Sequence, residues 1–307
     1  MSIRTFALLA ALTATVACAA PTRPYLGEPR PGTKPALFAA DVVNTAEIEL
    51  NGVVSPNGEE FYFSRRIGET FTMFRCVRRG DAWGAPETLS LYPDGERATA
   101  VDMALSVDGE RMYWLGRCKS EAYPEDPGLD LWTSERVDGE WQTAELVPPP
   151  VSTEHSEYYP CVVADGSLYF SSDRPGGLGE GDVWRAQRLP DGSFAEPVNV
   201  GAPINSAYPE GDTFVAPDES YLVLSSRRPG GRGSNDLYVA FREDDGSWGE
   251  PVNLGRGINS EQVDFCPMVT PDGEFLFFSR RWGKTWDTTE ACSVFWVDAR
   301  VLHALRP

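Results

Sequence analysis

Beyond residue 35 the chain alternates short apolar runs with tight polar turns, and it does so five times. Each round centres on one turn signature: Ser55-Pro56-Asn57-Gly58, Ser106-Val107-Asp108-Gly109, Ala164-Asp165-Gly166, Ala216-Pro217-Asp218-Glu219 and Thr270-Pro271-Asp272-Gly273. Asn or Asp followed by Gly between apolar runs predicts a hairpin, because such a turn needs a positive φ. Glu219 stands where the other rounds carry glycine, which predicts a slightly strained or reshaped turn.

An aromatic or branched strand follows each turn: Phe61-Tyr62-Phe63, Met112-Tyr113-Trp114, Leu168-Tyr169-Phe170, Leu222-Val223-Leu224 and Leu276-Phe277-Phe278. A third strand opens near Thr72, Asp130, Asp182, Asp236 and Ser293. A fourth is announced by Trp83-Gly84-Ala85-Pro86, Trp141, Phe194-Ala195-Glu196-Pro197 and Trp248-Gly249-Glu250-Pro251. Proline suits that last strand only if it is an edge. Four strands in about fifty residues is the arithmetic of a β-propeller blade.

The fifth repeat stops after its third strand, at Val297-Asp298-Ala299. The missing strand lies at the other end of the chain. Asn44-Thr45 with Glu49 copies the spacing of Asn205-Ser206 with Glu210 and of Asn259-Ser260 with Asp264. Pro35 to Val43 therefore reads as an outer strand that docks on the last repeat and hides two edges. The expected fold is all-β, a five-bladed propeller of four-stranded blades over residues 35–307, closed by an N-terminal strand. Arg300 to Arg306 is expected to add a short helix.

Residues 1–20 have the cationic start, short apolar run and small residues of an export signal. Thr15-Val16-Ala17-Cys18 resembles a lipobox, which would lipidate Cys18; Ala17-Cys18-Ala19 also fits ordinary signal cleavage. Residues 21–34, rich in Pro and Gly, would serve as a linker. The expected location is a bacterial periplasm, soluble or held by a lipid anchor. The formal charge of -19 excludes a nucleic-acid partner, which requires a basic footprint. Beyond the signal there are five cysteines, so in an exported protein at least one thiol stays unpaired.

Ser171-Ser172-Asp173-Arg174-Pro175-Gly176-Gly177, Ser225-Ser226-Arg227-Arg228-Pro229-Gly230-Gly231 and Pro251-Val252-Asn253-Leu254-Gly255 resemble WD40-like propeller repeats of the TolB type. The resemblance runs through nearly all of the chain beyond the signal. It implies a bacterial envelope propeller, a group that includes periplasmic scaffolds and peptidoglycan-associated modules.

Charged positions recur within the repeat. Nine residues after each turn Asn or Asp stands an arginine: Arg66, Arg117, Arg174, Arg227 and Arg281. Eight residues before it stands an acid in four repeats: Glu49, Glu157, Glu210 and Asp264; the second has Ala100. Across a two-residue turn these positions face each other, and a bulge shifts the match by one residue. The pattern predicts a cross-strand ion pair in each blade or, alternatively, a ring of charge around the channel mouth that takes a cation, a sugar or a peptide end. Arg117, without its acid, would pair with Asp102 or take an anion.

Other chemistry is thinly represented. The acidic loop Lys119 to Gly128 offers oxygen ligands for Ca2+ but lacks EF-hand spacing. The oxygen-bearing residues Thr72, Asp130, Asp182, Asp236 and Ser293 read as turn caps. Two histidines, His155 and His303, support neither a Ser-His-Asp arrangement nor a zinc site. No cofactor is implied. The reading is a non-enzymatic binding or scaffold propeller that recognises a protein or glycan of the cell envelope. The alternative is a glycosidase-like enzyme with Glu157 and Glu210 as acid and base.

Overall fold

The computed structural model describes residues 25–92, 99–117 and 129–306. The export signal with Cys18 and the candidate Ca2+ loop over residues 119–128 lie outside them.

Five antiparallel sheets follow one another along the chain, four with their strands in sequence order from the inside outwards and the last completed by a strand from the N-terminal side. Blade 1 runs Glu49–Val54, Glu60–Ile67, Thr70–Arg79 and the outer pieces Ala82–Trp83 and Glu87–Leu89. Blade 2 runs Thr99–Leu105, Arg111–Arg117, Asp130–Val137, then Glu140–Trp141 and Glu145–Leu146. Blade 3 comprises Glu157–Val162, Leu168–Ser172, Asp182–Ala186 and Val198–Asn199. Blade 4 comprises Glu210–Val215, Tyr221–Ser226, Asp236–Phe241 and Val252–Asn253. Blade 5 supplies Val263–Val269, Phe275–Trp282 and Ala291–Asp298 itself.

Its fourth strand is Ala36–Leu37, from the far end of the chain. Ala36 lies opposite Trp296 and Leu37 opposite Phe295. Two side chains pin this closure. The Asn44 amide donates to the carbonyls of Phe38 (2.6 Å) and Val294 (2.9 Å), and its Oδ1 accepts from the Val294 amide at 2.7 Å. Phe38, fully buried, packs its ring 4.6 Å from Phe61 and 4.8 Å from Phe277. A ring buried between the first and last blades stabilises closure by about 2–3 kcal/mol.

The hairpin turns form as the Asn/Asp-Gly signature requires. Gly58, Gly109, Gly166 and Gly273 all sit at positive φ, and Glu219 adopts φ 56° in the same place. The Glu219 carboxylate accepts from Arg185 Nε at 2.8 Å and from the Tyr169 hydroxyl, contacts a glycine would lack. The helix expected at the C-terminus is a single turn, Arg300–His303.

Each inner strand also carries a bulge: the register shifts between Leu50 and Val53, Val101 and Ala104, Tyr158 and Cys161, Glu210 and Thr213, and Phe265 and Met268. Inside it, six residues before the turn, lie Asn51, Asp102, Tyr159, Asp212 and Cys266. Four of them, all but Asp212, hold a positive φ. A bulge bends its strand and re-aims a side chain, here on the strand nearest the axis.

Candidate functional site: clasps and channel mouth

The acids of the repeat are not open groups at a rim. Glu49, Glu157, Glu210 and Asp264 are fully buried. Arg65 Nε donates to Glu49 at 2.9 Å, Arg174 Nη2 to Glu157 at 2.9 Å, Arg228 Nη2 to Glu210 at 3.0 Å and Arg280 Nε to Asp264 at 2.7 Å. The residue four positions before each acid completes the grip. Ser206, for example, donates its amide (2.8 Å) and its hydroxyl (2.6 Å) to Glu210. The amide of Asn205 meanwhile bridges to both backbone groups of Val183 in the preceding blade. The unit is a clasp that ties the third strand of one blade to the inner strand of the next. Burial raises the Asp264 pKa, against the lowering effect of Arg280.

This corrects the expected pairing in three of the four blades that have an acid. Arg174 pairs as foreseen, but the partners of Glu49, Glu210 and Asp264 are Arg65, Arg228 and Arg280, not Arg66, Arg227 and Arg281. The bulge on the inner strand is the reason. It sets Glu49 opposite Arg65 and Asp264 opposite Arg280, but Glu157 opposite Ser172 and Glu210 opposite Ser226. In those last two blades the serine hydroxyl donates to the acid and the arginine reaches back from two residues further on.

Blade 2 replaces the clasp with packing. Ala100 lies opposite Gly116. A Cβ on Gly116 would stand 2.0 Å from the Tyr92 hydroxyl. That hydroxyl accepts from Trp114 Nε1 at 2.8 Å and donates to the Thr99 carbonyl at 3.2 Å. Arg117 is exposed at the strand end, opposite Thr99. The hydrogen-bond partner of Asp102 is the Cys266 thiol, 3.4 Å away, and not Arg117.

The turn-cap reading holds for Asp182, which accepts from the amides of Leu178 and Gly179, and for Asp236, which accepts from those of Arg232 and Gly233. Cys76, Cys161, Cys266 and Cys292 are free and buried. Among the described residues, no group of three or more His, Cys, Asp or Glu side chains is placed to hold a metal ion.

What the clasps leave over converges on the channel. Adjacent residues of a strand face opposite sides, so Arg281 points away from its clasp neighbour Arg280; Arg227, just beyond the strand Tyr221–Ser226, takes the corresponding place beside Arg228. Arg227 and Arg281 both line a cavity of about 540 Å³ at the mouth where the inner strands begin. Arg66 is half-buried opposite Phe71 and does not line it. Arg227 is exposed and donates to the neutral Asn235 at 3.0 Å. Arg281 is 5 % exposed, yet its Nε and Nη1 have no hydrogen-bond partner among the described residues. Its guanidinium lies 4.4 Å from the ring of Trp286, which is 45 % exposed. Burial lowers the Arg281 pKa, and the charge of Arg227 pushes the same way.

Asp102 and Asp212 lie on the inner side of the cavity. Burial pushes Asp102 well above the usual carboxylate range, and the charge of Asp212 adds to the rise. Burial also raises Asp212, whose Oδ2 accepts from the Cys266 amide at 3.0 Å. Phe71, Phe265 and Trp286 supply aromatic wall. Sequence reasoning missed this group. The available signal was a pair of aspartates inside otherwise apolar inner strands, a residue type that tolerates left-handed backbone.

Fold and cavity define the class: a closed five-bladed β-propeller with clasped blades and a mixed polar and aromatic cavity at one channel mouth. No protein-family model and no curated protein matches the chain. Solved structures do. The chain is similar to the catalytic domain of a GH62 α-L-arabinofuranosidase from Coprinopsis cinerea, with TM-score 0.51 and 11 % identity over 86 % of this chain and 93 % of that one. An α-L-arabinofuranosidase from Podospora anserina gives TM-score 0.50 at 11 % identity over 86 % and 96 %. TolB from Acinetobacter baumannii gives TM-score 0.48 at 12 % identity, covering 82 % of this chain and 57 % of TolB, little more than half its length. At such identities the likeness is one of fold.

Proposed function

We propose that this protein is a binding propeller of the bacterial cell envelope that recognises a glycan or protein ligand through the channel-mouth cavity. The observation that supports this is Arg281, a buried cation with two unpartnered nitrogens beside a cavity that Arg227 also lines. Its Nη2 donates to the Lys284 carbonyl at 3.4 Å and Asp212 attracts it through space, but buried N–H groups left without an acceptor are costly, and a ligand group that accepts from them offsets that cost. The repeated acids belong to the scaffold, which concentrates recognition on the few side chains that break the repeat.

One observation favours a second reading, a carbohydrate-active enzyme. Glu157 and Glu210 are enclosed in their clasps and present no open oxygen. Asp102 and Asp212 instead place two carboxyls of raised proton affinity at the cavity, where a general acid is useful. The discriminating experiment offers envelope polysaccharides and peptides to the wild-type chain and to Asp102→Asn, scoring both capture and cleavage. Capture without cleavage is the expected result. Cleavage by the wild type that Asp102→Asn abolishes would overturn the binding reading.

A further inference from the structure

Three arginine doublets stand at the ends of second strands: Arg65-Arg66, Arg227-Arg228 and Arg280-Arg281. In blades 4 and 5 one member is consumed by the clasp, Arg228 on Glu210 and Arg280 on Asp264. The other member of each lines the cavity, and neither forms an ion pair among the described residues. Two guanidinium groups from neighbouring blades thus come close enough for one to depress the other's pKa. Asp212 attracts Arg281 through space and Glu180 shares the lining, but among the described residues no acid is within ion-pair distance of either guanidinium, which leaves their N–H groups for an anion from outside the chain.

The rest of the lining narrows that anion. Trp286 and Phe71 stand 5.5 Å apart, edge to face, and Phe265 lies 6.0 Å from Trp286. These rings offer flat apolar surface at the rim. Asp102, Asp212, Thr99 and Asn235 add hydrogen-bonding groups suited to hydroxyls. A planar guanidinium fork matches a carboxylate in two-point geometry. Aromatic faces for C–H surfaces, oxygen acceptors for hydroxyls and a fork for a carboxylate together describe an acidic saccharide.

We propose that the cavity binds a uronate-type sugar, its carboxylate on Arg281 and Arg227 and its ring against Trp286; this rests on the channel-mouth binding reading above. The test is calorimetric titration of the wild-type chain with tetragalacturonate, its fully methyl-esterified form and a peptide with a free C-terminal carboxylate. The acid sugar should bind, with the ester at least about tenfold weaker, the worth of one charge-assisted hydrogen-bond pair. Arg281→Gln and Arg227→Gln should show the same loss. Arg281→Lys keeps the charge but not the fork and should fall between, with melting curves showing that each variant is folded. Equal affinity for acid and ester, or undiminished binding in Arg281→Gln, overturns the inference. Preference for the peptide, lost in Arg281→Gln, overturns the sugar class but leaves the cavity reading standing. Binding of any of these ligands that no cavity substitution alters overturns both.

Discussion

Arg280 and Arg281 are neighbours in the chain and serve opposite sides of one sheet. Arg280 closes a 2.7 Å ion pair with the buried Asp264, while Arg281 turns to the channel, its Nε and Nη1 without a hydrogen-bond partner among the described residues. The same division separates Arg228 from Arg227. Scaffold and site are therefore interleaved residue by residue, and substitutions should separate them.

Clasp substitutions should act on stability. Glu210→Gln leaves Arg228 facing a neutral group in a buried position and should cost about 2–4 kcal/mol, read as a lower urea midpoint. The cavity is unaffected on this account, so capture of any ligand at saturating concentration should persist while the protein stays folded.

Ring closure should depend on Phe38. Replacing it with Ala empties a fully buried site between blades 5 and 1 and should cost about 3–5 kcal/mol. Amide exchange in Ala291–Asp298, whose outer edge the strand covers, should accelerate more than in blade 3.

Blade 2 offers a coupled pair. Gly116→Ala drives a methyl against the Tyr92 hydroxyl and should destabilise by about 1–3 kcal/mol. Tyr92→Phe removes the acceptor of Trp114 Nε1 and should cost about 1 kcal/mol alone. Together they should cost less than their sum, because the second change removes the closest contact of the first and leaves only the one with Trp132. Strict additivity in a double-mutant cycle would contradict this contact.

Asp102 should impose a pH dependence on stability. Its folded-state pKa is raised, so below the usual aspartate range both states hold the proton and no penalty exists. As pH rises past that range the unfolded chain ionises first, and stability is lost until the native carboxyl also ionises. Asp212 contributes in the same direction. Asp102→Asn should therefore flatten the fall in urea midpoint as pH rises above the usual aspartate range, and its gain over the wild type should grow with pH.

Much of the fold was legible because turns and strands repeat local chemistry. Asn/Asp-Gly turns located the inner hairpin of four blades and Asp218-Glu219 that of the remaining one, and the copied spacing of Asn44, Thr45 and Glu49 identified the closing strand. The clasp was legible as an ion pair but not in its partners. A bulge was foreseen to shift the match by one residue, but offsets from the turn do not say in which blades, and the register gives Arg65 and Arg280 the roles assigned to Arg66 and Arg281. Asp102 was readable only as a partner for Arg117 and Asp212 not at all, because the bulge aims both at the cavity and alternation alone does not reveal where a bulge falls. The arginine doublets were the readable trace of the site, since one strand cannot send two adjacent arginines to the same clasp.

The central claim is that recognition belongs to the cavity and the repeated acids belong to the scaffold. Its most direct measurement compares ligand capture by Arg227→Gln/Arg281→Gln with capture by Glu210→Gln, using envelope glycans and peptides and folded protein throughout. Loss of the arginine pair should abolish capture with little change in melting temperature, while Glu210→Gln should lower melting temperature and retain capture. The reverse outcome, capture lost with the clasp acid and kept without the two arginines, would contradict it.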